Sequence, residues 1–461
     1  MNTYKGSVYI FIYLILVCGN ISTFAATLVV PTDHATIQSG IDAAVDGDTV
    51  LVRNGSYKGD GNVNIDFKGK RITVKSLNGA KNTKIHCTWK ENTRGFIFQN
   101  SETNDTVLEG FTISNGKHDF GGGIFCNGAS PIIKDCVITW NSAKTKDRFT
   151  GRGGGIYVLN SDVKIIGCTI SNNWSDSYGG GIYLEGHRDV NGDLRDQRFQ
   201  PSIINCTVTD NKGSGVYSID YVRTTILNSE VSKNKGRGVV NTFDSRGSQI
   251  TNCLISLNTE GGIECSDNSS MMITKTIIKQ NIGEIGGGIF CSSTSSIDVS
   301  DCIIAQNIAT ESGGGIGVLS SNGDAVIANC TIVRNSANHN GGGLYAFIEG
   351  SFFSLTKSIL WGNNSNETNP EFSGIGGRIS ISFCDIRDGL EGIEREPDGK
   401  WFIYEDNIDE DPLFVDVDRG DYRLKRHSPA ENMGPQSHVG RSLSVSSVGK
   451  KLTLWADLKR K

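Results

Sequence analysis

The chain has 461 residues, enough for a large core, with 57 glycines but only 8 prolines. Basic and acidic residues, 45 against 50, are interspersed and leave a formal charge of -5. No basic block is present, which excludes the electrostatic footprint of a nucleic-acid binder, and glycine without proline is turn usage, not a disordered tract.

The chain opens with Lys5 and an apolar run, Val8–Val17 (VYIFIYLILV), followed by small residues around Thr23–Ala26. This order predicts a signal peptide over residues 1–25. A bilayer span needs about 20 apolar residues, and the run is shorter. An uncleaved anchor is one rival reading. Lipidation at Cys18 is another, disfavoured by the bulky Val17 before it. No later segment reads as a membrane helix, so the mature protein is expected outside the cytoplasm.

Next, Ile37, Ile41 and Val45 fall on one helical face. From residue 110 onward two motifs alternate. The first is Gly-Gly-Gly, an aliphatic residue, then an aromatic one: Gly121–Cys126 is GGGIFC, Gly153–Val158 GGGIYV, Gly179–Leu184 GGGIYL and Gly286–Cys291 GGGIFC. The second begins with a small residue and ends with Asn: Cys136–Asn141, Cys168–Asn173, Cys206–Asn211, Cys253–Asn258, Cys302–Asn307 and Cys330–Asn335. Ser229–Asn234, Thr276–Asn281 and Ser358–Asn363 replace the cysteine, and Gly110–Asn115 (GFTISN) reads as an earlier copy. The glycine motif recurs about every 27.5 residues, the period of a solenoid. Short Ile/Val/Thr segments between turns read as strands, without helical spacing. Stacked coil on coil, about 4.8 Å apart, they make a parallel β-helix.

The pattern assigns each position a task. The aliphatic residue after the cysteine points inward, and the cysteine shares its face. The Asn ends a strand and can stack from coil to coil. The glycines turn a corner. A phosphate loop is the rival for the glycines, but no Gly-Lys-Ser/Thr follows and the triplets enter strands. Eleven cysteines follow Cys18. Their recurrence at equivalent coil positions favours free, buried thiols over disulfides or a zinc site.

Together these features resemble the right-handed parallel β-helix, or pectin-lyase-like, superfamily. Thr36–Tyr57, with its amphipathic turn and GDTV, is similar to that superfamily's N-terminal cap. The repeats resemble those of secreted bacterial β-helix proteins and, more distantly, polymorphic outer-membrane proteins. Asp411–Asp416 (DPLFVD), Gly420–Leu424 (GDYRL) and Ser428–Ala430 resemble a C-terminal closure. The resemblance implies an all-β, right-handed parallel β-helix of about 10–12 coils over residues 26–433, with a short N-terminal capping helix and a tail over 434–461. The paired-aspartate, Arg-x-Pro-x-x-x-Arg and esterase signatures of its enzymes are absent.

Two places can carry function. Phe125, Tyr157, Tyr183 and Tyr217 follow the inward aliphatic residues of four successive coils and form an outward aromatic column. Such a column suits sugar rings, or it only stabilises the sheet by cross-strand stacking. Two charged insertions, residues 144–152 and 187–200, would flank it. Asp147, Arg148, Arg188 and Arg195 are the candidate catalytic residues there, since lyase chemistry needs a base and a cation to neutralise a uronate. Asp189, Asn191, Asp193 and Asp196 are a candidate calcium loop without the full twelve-residue pattern. The reading is an exported, monomeric, non-catalytic protein binding a polysaccharide or cell-surface glycan or mediating cell-surface contacts, with no nucleic acid; a purely structural repeat without a ligand is a third reading. The alternative is a polysaccharide lyase or glycoside hydrolase acting on an acidic polysaccharide.

Overall fold

The computed structural model describes residues 25–144, 150–187, 199–366, 371–395 and 402–435. The predicted signal segment up to residue 24 and the tail beyond Pro435 lie outside them.

Strands wind into three long parallel sheets of 15, 13 and 13 strands, about 14 coils. This exceeds the expected 10–12, because coils before residue 110 and after residue 370 lack the full motifs. One coil shows the path. Ile124–Asn127 lies in the second sheet, Ile132–Lys134 in the first, Val137–Thr139 in the third. A short strand, Ser142–Ala143, then leads to the next corner. Ile156–Leu159 follows and pairs in register with Ile124–Asn127. Ile124, Cys126, Ile133 and Ile138 point inward and are fully buried. Their equivalents on every coil fuse into one continuous core.

A helix, Ile37–Ala43, packs against Thr27–Val30 and Thr49–Val52. Thr36 and Ser39 form its capping box, and Ile37, Gly40 and Ile41 are buried. The third member of the expected face fails. Ala44 already has an extended backbone, and Val45 is 56% exposed. Its N–H donates to the Asp48 carboxylate, which bends the chain into the next strand.

The corner of the repeat explains its glycines. Gly153 has φ +65, a conformation other residues adopt at a cost. A Cβ on Gly154 would lie 2.4 Å from the Trp174 carbonyl oxygen. One on Gly155 would lie 2.6 Å from the Gly181 oxygen and 3.0 Å from Asn173 Nδ2. Each glycine of the triplet therefore has its own cause.

The recurring Asn builds a buried amide ladder. Asn141, Asn173, Asn211, Asn234, Asn258, Asn281, Asn307, Asn335 and Asn363 each donate Nδ2–H to the same group one coil on, 2.6–3.1 Å away. The acceptor is Oδ1 of the next Asn, except that Asn363 donates to the Glu371 carboxylate. The second Nδ2–H of each goes to a carbonyl of the preceding coil, such as Val231 for Asn258. Burial pushes the Glu371 carboxyl up to about 7 against the hydrogen bonds from Asn363. At the other end Gly116 N–H donates to Asn141 Oδ1. That corrects the reading of GFTISN. The register pairs Ile113 with Ile138, so Phe111 takes the cysteine place and Gly116 the Asn place. A Cβ at Gly116 would sit 1.8 Å from the Gly122 oxygen.

The cysteine place is polar as well as small. Cys136 Sγ donates to Lys134 O, and Cys168 Sγ accepts the Cys136 N–H. Ser229 and Thr276 make the same pair of bonds with hydroxyls. Cys, Ser and Thr interchange because each is a short side chain that accepts from one coil and donates within its own. All eleven cysteines from Cys87 to Cys384 are free and buried, and burial pushes Cys87, Cys253 and Cys384 up to about 12.

The C-terminal segment folds back on the side wall. Phe414–Asp416 and Asp421–Leu424 form an antiparallel hairpin. Phe414, Tyr422 and Ala430 bury Ala305, Val333 and Ile359 in a second core on the third sheet. Arg334 Nη2 holds Asp418 at 2.7 Å, and Gly434 N–H donates to Lys357 O.

Candidate functional site

The second sheet carries the aromatic column on its outer face. Parallel register places Phe125, Tyr157, Tyr183 and Tyr217 side by side. Their rings stack with centroids 5.7, 5.7 and 5.4 Å apart and planes within 9°. Val240 and Glu264 follow in the row, then Phe290.

The open aromatic wall expected of this column is closed at its centre. Tyr157 is 5% exposed and Tyr183 1%, while Phe125 and Tyr217 are half-buried. The cover comes from residues that precede each glycine triplet. Phe120, Arg152 and Tyr178 pair as a second row, and each leans on the column residue one coil further on. Phe120 lies 5.2 Å from Tyr157, the Arg152 guanidinium 5.5 Å from Tyr183, and Tyr178 4.8 Å from Tyr217. Arg94 lies 4.5 Å over Phe125, and Arg237 5.4 Å over Phe290 while pairing with Glu264 at 2.6 Å. These ring–cation contacts each contribute about 0.5–2 kcal/mol.

Beside the column, on the same face of the sheet, sits a polar group that nothing in the sequence signalled. Glu185, at the end of the Tyr183 strand, is buried. Tyr157 Oη donates to it at 2.7 Å, Arg152 Nη1 reaches both oxygens at 3.0 Å, and His187 Nε2 lies at 2.8 Å. Burial raises the Glu185 carboxyl, but these partners outweigh it and hold the group below its ordinary value. Burial, then the hydrogen bond to Glu185, raises the Tyr157 hydroxyl well above the usual tyrosine value. Tyr183 and Tyr217 are raised by burial first and by Glu185 and Glu264 respectively. Asp220 is raised by burial and by the Glu185 charge. The three tyrosine protons are held firmly. Nearby, burial and the Arg94 charge lower His118 to about 4.

Three exposed rings lie on the stretch between the third-sheet strands and the glycine triplets. Trp140 is 56% exposed, Trp174 38% and Tyr178 48%. Lys144 Nζ stands 4.5 Å and Lys212 Nζ 4.9 Å from the Trp174 ring. The four candidate catalytic residues, Asp147, Arg148, Arg188 and Arg195, lie outside the described residues. So do the calcium candidates Asp189, Asn191, Asp193 and Asp196. Among the described residues no group of three or more His, Cys, Asp or Glu could hold a metal ion. No described helix is long and apolar enough to cross a membrane.

A family model described as "right handed beta helix region" matches residues 194–366. The repeat of the Chlamydia polymorphic membrane protein matches residues 167–185, which span one ladder asparagine, Asn173, and one glycine triplet. The strand order above is that of a parallel β-helix, the fold that the resemblance to the pectin-lyase-like superfamily implied, and the matched region carries the right-handed β-helix model. Solved structures similar to the chain include the A-module of the Azotobacter vinelandii mannuronan C-5 epimerase AlgE6, 12% identical over 82% of this chain and 94% of that one, TM-score 0.47. The pectate lyase Pel9A is 12% identical over 89% and 91%, TM-score 0.39. PfbA, a surface adhesin of Streptococcus pneumoniae, is 12% identical over 85% and 94%, TM-score 0.35. No curated protein matches the chain.

Proposed function

We propose that the protein is an exported, non-catalytic β-helix that binds an acidic polysaccharide or cell-surface glycan along the corner of its second sheet. The observation that carries this reading is the corner itself. Trp140, Trp174 and Tyr178 are exposed there, and two lysines flank the Trp174 ring. Indole and phenol rings offer flat apolar faces and edges to sugar rings, and the ammonium groups suit carboxylates along a glycan. Phe125 and Tyr217 add half-exposed edges, and the buried Tyr157 and Tyr183 keep the wall stiff.

The alternative, a polysaccharide lyase or glycoside hydrolase, draws on the Arg152–Glu185–Tyr157–His187 group. Against it, Glu185 is engaged by three donors and the Tyr157 proton is held tightly, which suits neither a free base nor a ready acid. The test is incubation of the mature protein with neutral and acidic polysaccharides, following chain length and retention. Retention without shortening, weakened by Trp174→Ala and Tyr178→Ala, is expected. Shortened chains would overturn the binding reading, and loss of that cleavage in Glu185→Gln would place it at this group.

A further inference from the structure

A cleft lies toward the C-terminal end of the rod, on the third sheet rather than the second. The C-terminal hairpin covers the third sheet's outer face only in part. Along its edge a cleft of about 500 Å³ remains, floored by Val333, Trp361 and Phe414 and rimmed by Arg334, Arg387 and Lys425. Its size falls within the range of small-molecule sites, about 300–1,000 Å³.

Its lining carries more cations than acids. Three cations border the cleft and one acid, Asp411, joins them. Arg334 is committed to the hairpin through Val417 O at 3.3 Å and Asp418 at 2.7 Å. The other two are not. Among the described residues Arg387 makes one ion pair, to Asp388 at 3.8 Å, with both side chains more than half exposed. Lys425 is exposed, and its ammonium makes no ion pair among the described residues. Parallel register sets Arg387 beside Trp361 on the neighbouring coil. A half-buried indole next to a weakly paired guanidinium and an unpaired ammonium makes an apolar face with charge at its rim.

We propose that this cleft binds a sugar ring bearing a carboxylate or a sulfate. The ring lies on Trp361, and Arg387 and Lys425 take the anionic group, the guanidinium as a fork and the ammonium as a point charge. The chain's own tail is a poor rival for the place. Residues 436–461 carry six Lys and Arg against one acid, the same sign as the rim. The site shares no residue with the corner ridge, so it stands or falls separately.

Arg387 and Lys425 are exposed, so replacing them leaves the coils intact. The experiment is a calorimetric titration of the full mature chain with digalacturonate, with a sulfated galactose disaccharide and with neutral galactobiose, in 150 mM salt. Binding of either anionic disaccharide, at least tenfold tighter than galactobiose, is expected, and the two anionic arms tell carboxylate from sulfate. Arg387→Ala with Lys425→Ala should weaken it at least tenfold, and Trp361→Leu should weaken it too, while Trp174→Ala leaves it unchanged. Equal binding of galactobiose, or anionic binding untouched by the Arg387/Lys425 double change, would overturn the proposal. So would binding lost only in Trp174→Ala, which would return the ligand to the corner ridge.

Discussion

Replacing Asn258 by alanine tests whether the amide ladder carries stability. Asn258 sits mid-ladder and is 1% exposed. Its Nδ2 donates to Asn281 Oδ1 at 2.9 Å and to Val231 O at 3.2 Å. Its Oδ1 accepts the backbone N–H of Asn234 at 3.1 Å and the Asn234 side chain at 3.0 Å. Alanine removes four bonds and strands two donors of Asn234 in the interior. A buried donor left without a partner costs about 1–3 kcal/mol, so the two together cost about 4 kcal/mol. The neighbouring Leu257, 43% exposed, supplies the control, and Leu257→Ala should stay within about 0.5 kcal/mol. Guanidinium unfolding followed by circular dichroism reads the loss as a shift in midpoint, with the slope checked for constancy. Hydrogen exchange at the Asn234 amide should accelerate with it. A loss below about 1 kcal/mol with Asn234 still protected would refute the argument, because the donors would then have found other partners.

Three further outcomes follow from the same geometry. Gly154→Ala places a methyl 2.4–2.7 Å from three backbone atoms and should cost about 3 kcal/mol, read as a lowered thermal midpoint; an unchanged midpoint would show that the corner yields. Glu371 is an acid raised from 4.5 to about 7 in the fold, so its contribution is fully present below about pH 4.5 and lost as pH rises through about 7, about 3 kcal/mol in all. Glu371→Gln should flatten that slope in unfolding measured from pH 4 to 8, and an unaltered slope would assign it elsewhere. The eleven buried thiols should resist a disulfide reagent in the native protein and react on unfolding; fewer than eleven in denaturant would mean that some are bonded.

Much of the architecture was legible because a solenoid repeats its reasons. Gly153, Cys168 and Asn173 answer to forces exerted by the adjacent coil, and that coil carries the same residues. Reading failed where the repeat breaks or where the decisive neighbour lies outside the motif. GFTISN shares Thr-Ile-Ser with CTISNN, so it looked in frame, yet the corner at Gly122 forces a glycine at the ladder place and shifts the match by one residue. Val45 has helical spacing, but Asp48 captures its N–H. The aromatic column was visible, whereas its closure was not, because Arg152 and Tyr178 act on rings one coil away. Their shared place before the triplets was the available signal. Glu185 gave none, since Leu159 and Ile219 occupy its position on the flanking coils.

The amide ladder also behaves as a polymer with a start and a stop. Every internal Asn presents the same acceptor behind and the same donor ahead, although the chain between successive members ranges from 23 to 38 residues. Any coil that delivers one Asn to that line is a valid monomer, whatever its loop length. Gly116 initiates the line with a lone N–H, and the Glu371 carboxylate ends it by accepting two donors from Asn363. Growth or shortening by whole coils between these two residues therefore leaves both ends chemically intact. The rod's length becomes a quantity that duplication can adjust in steps of about 4.8 Å, without redesigning either terminus.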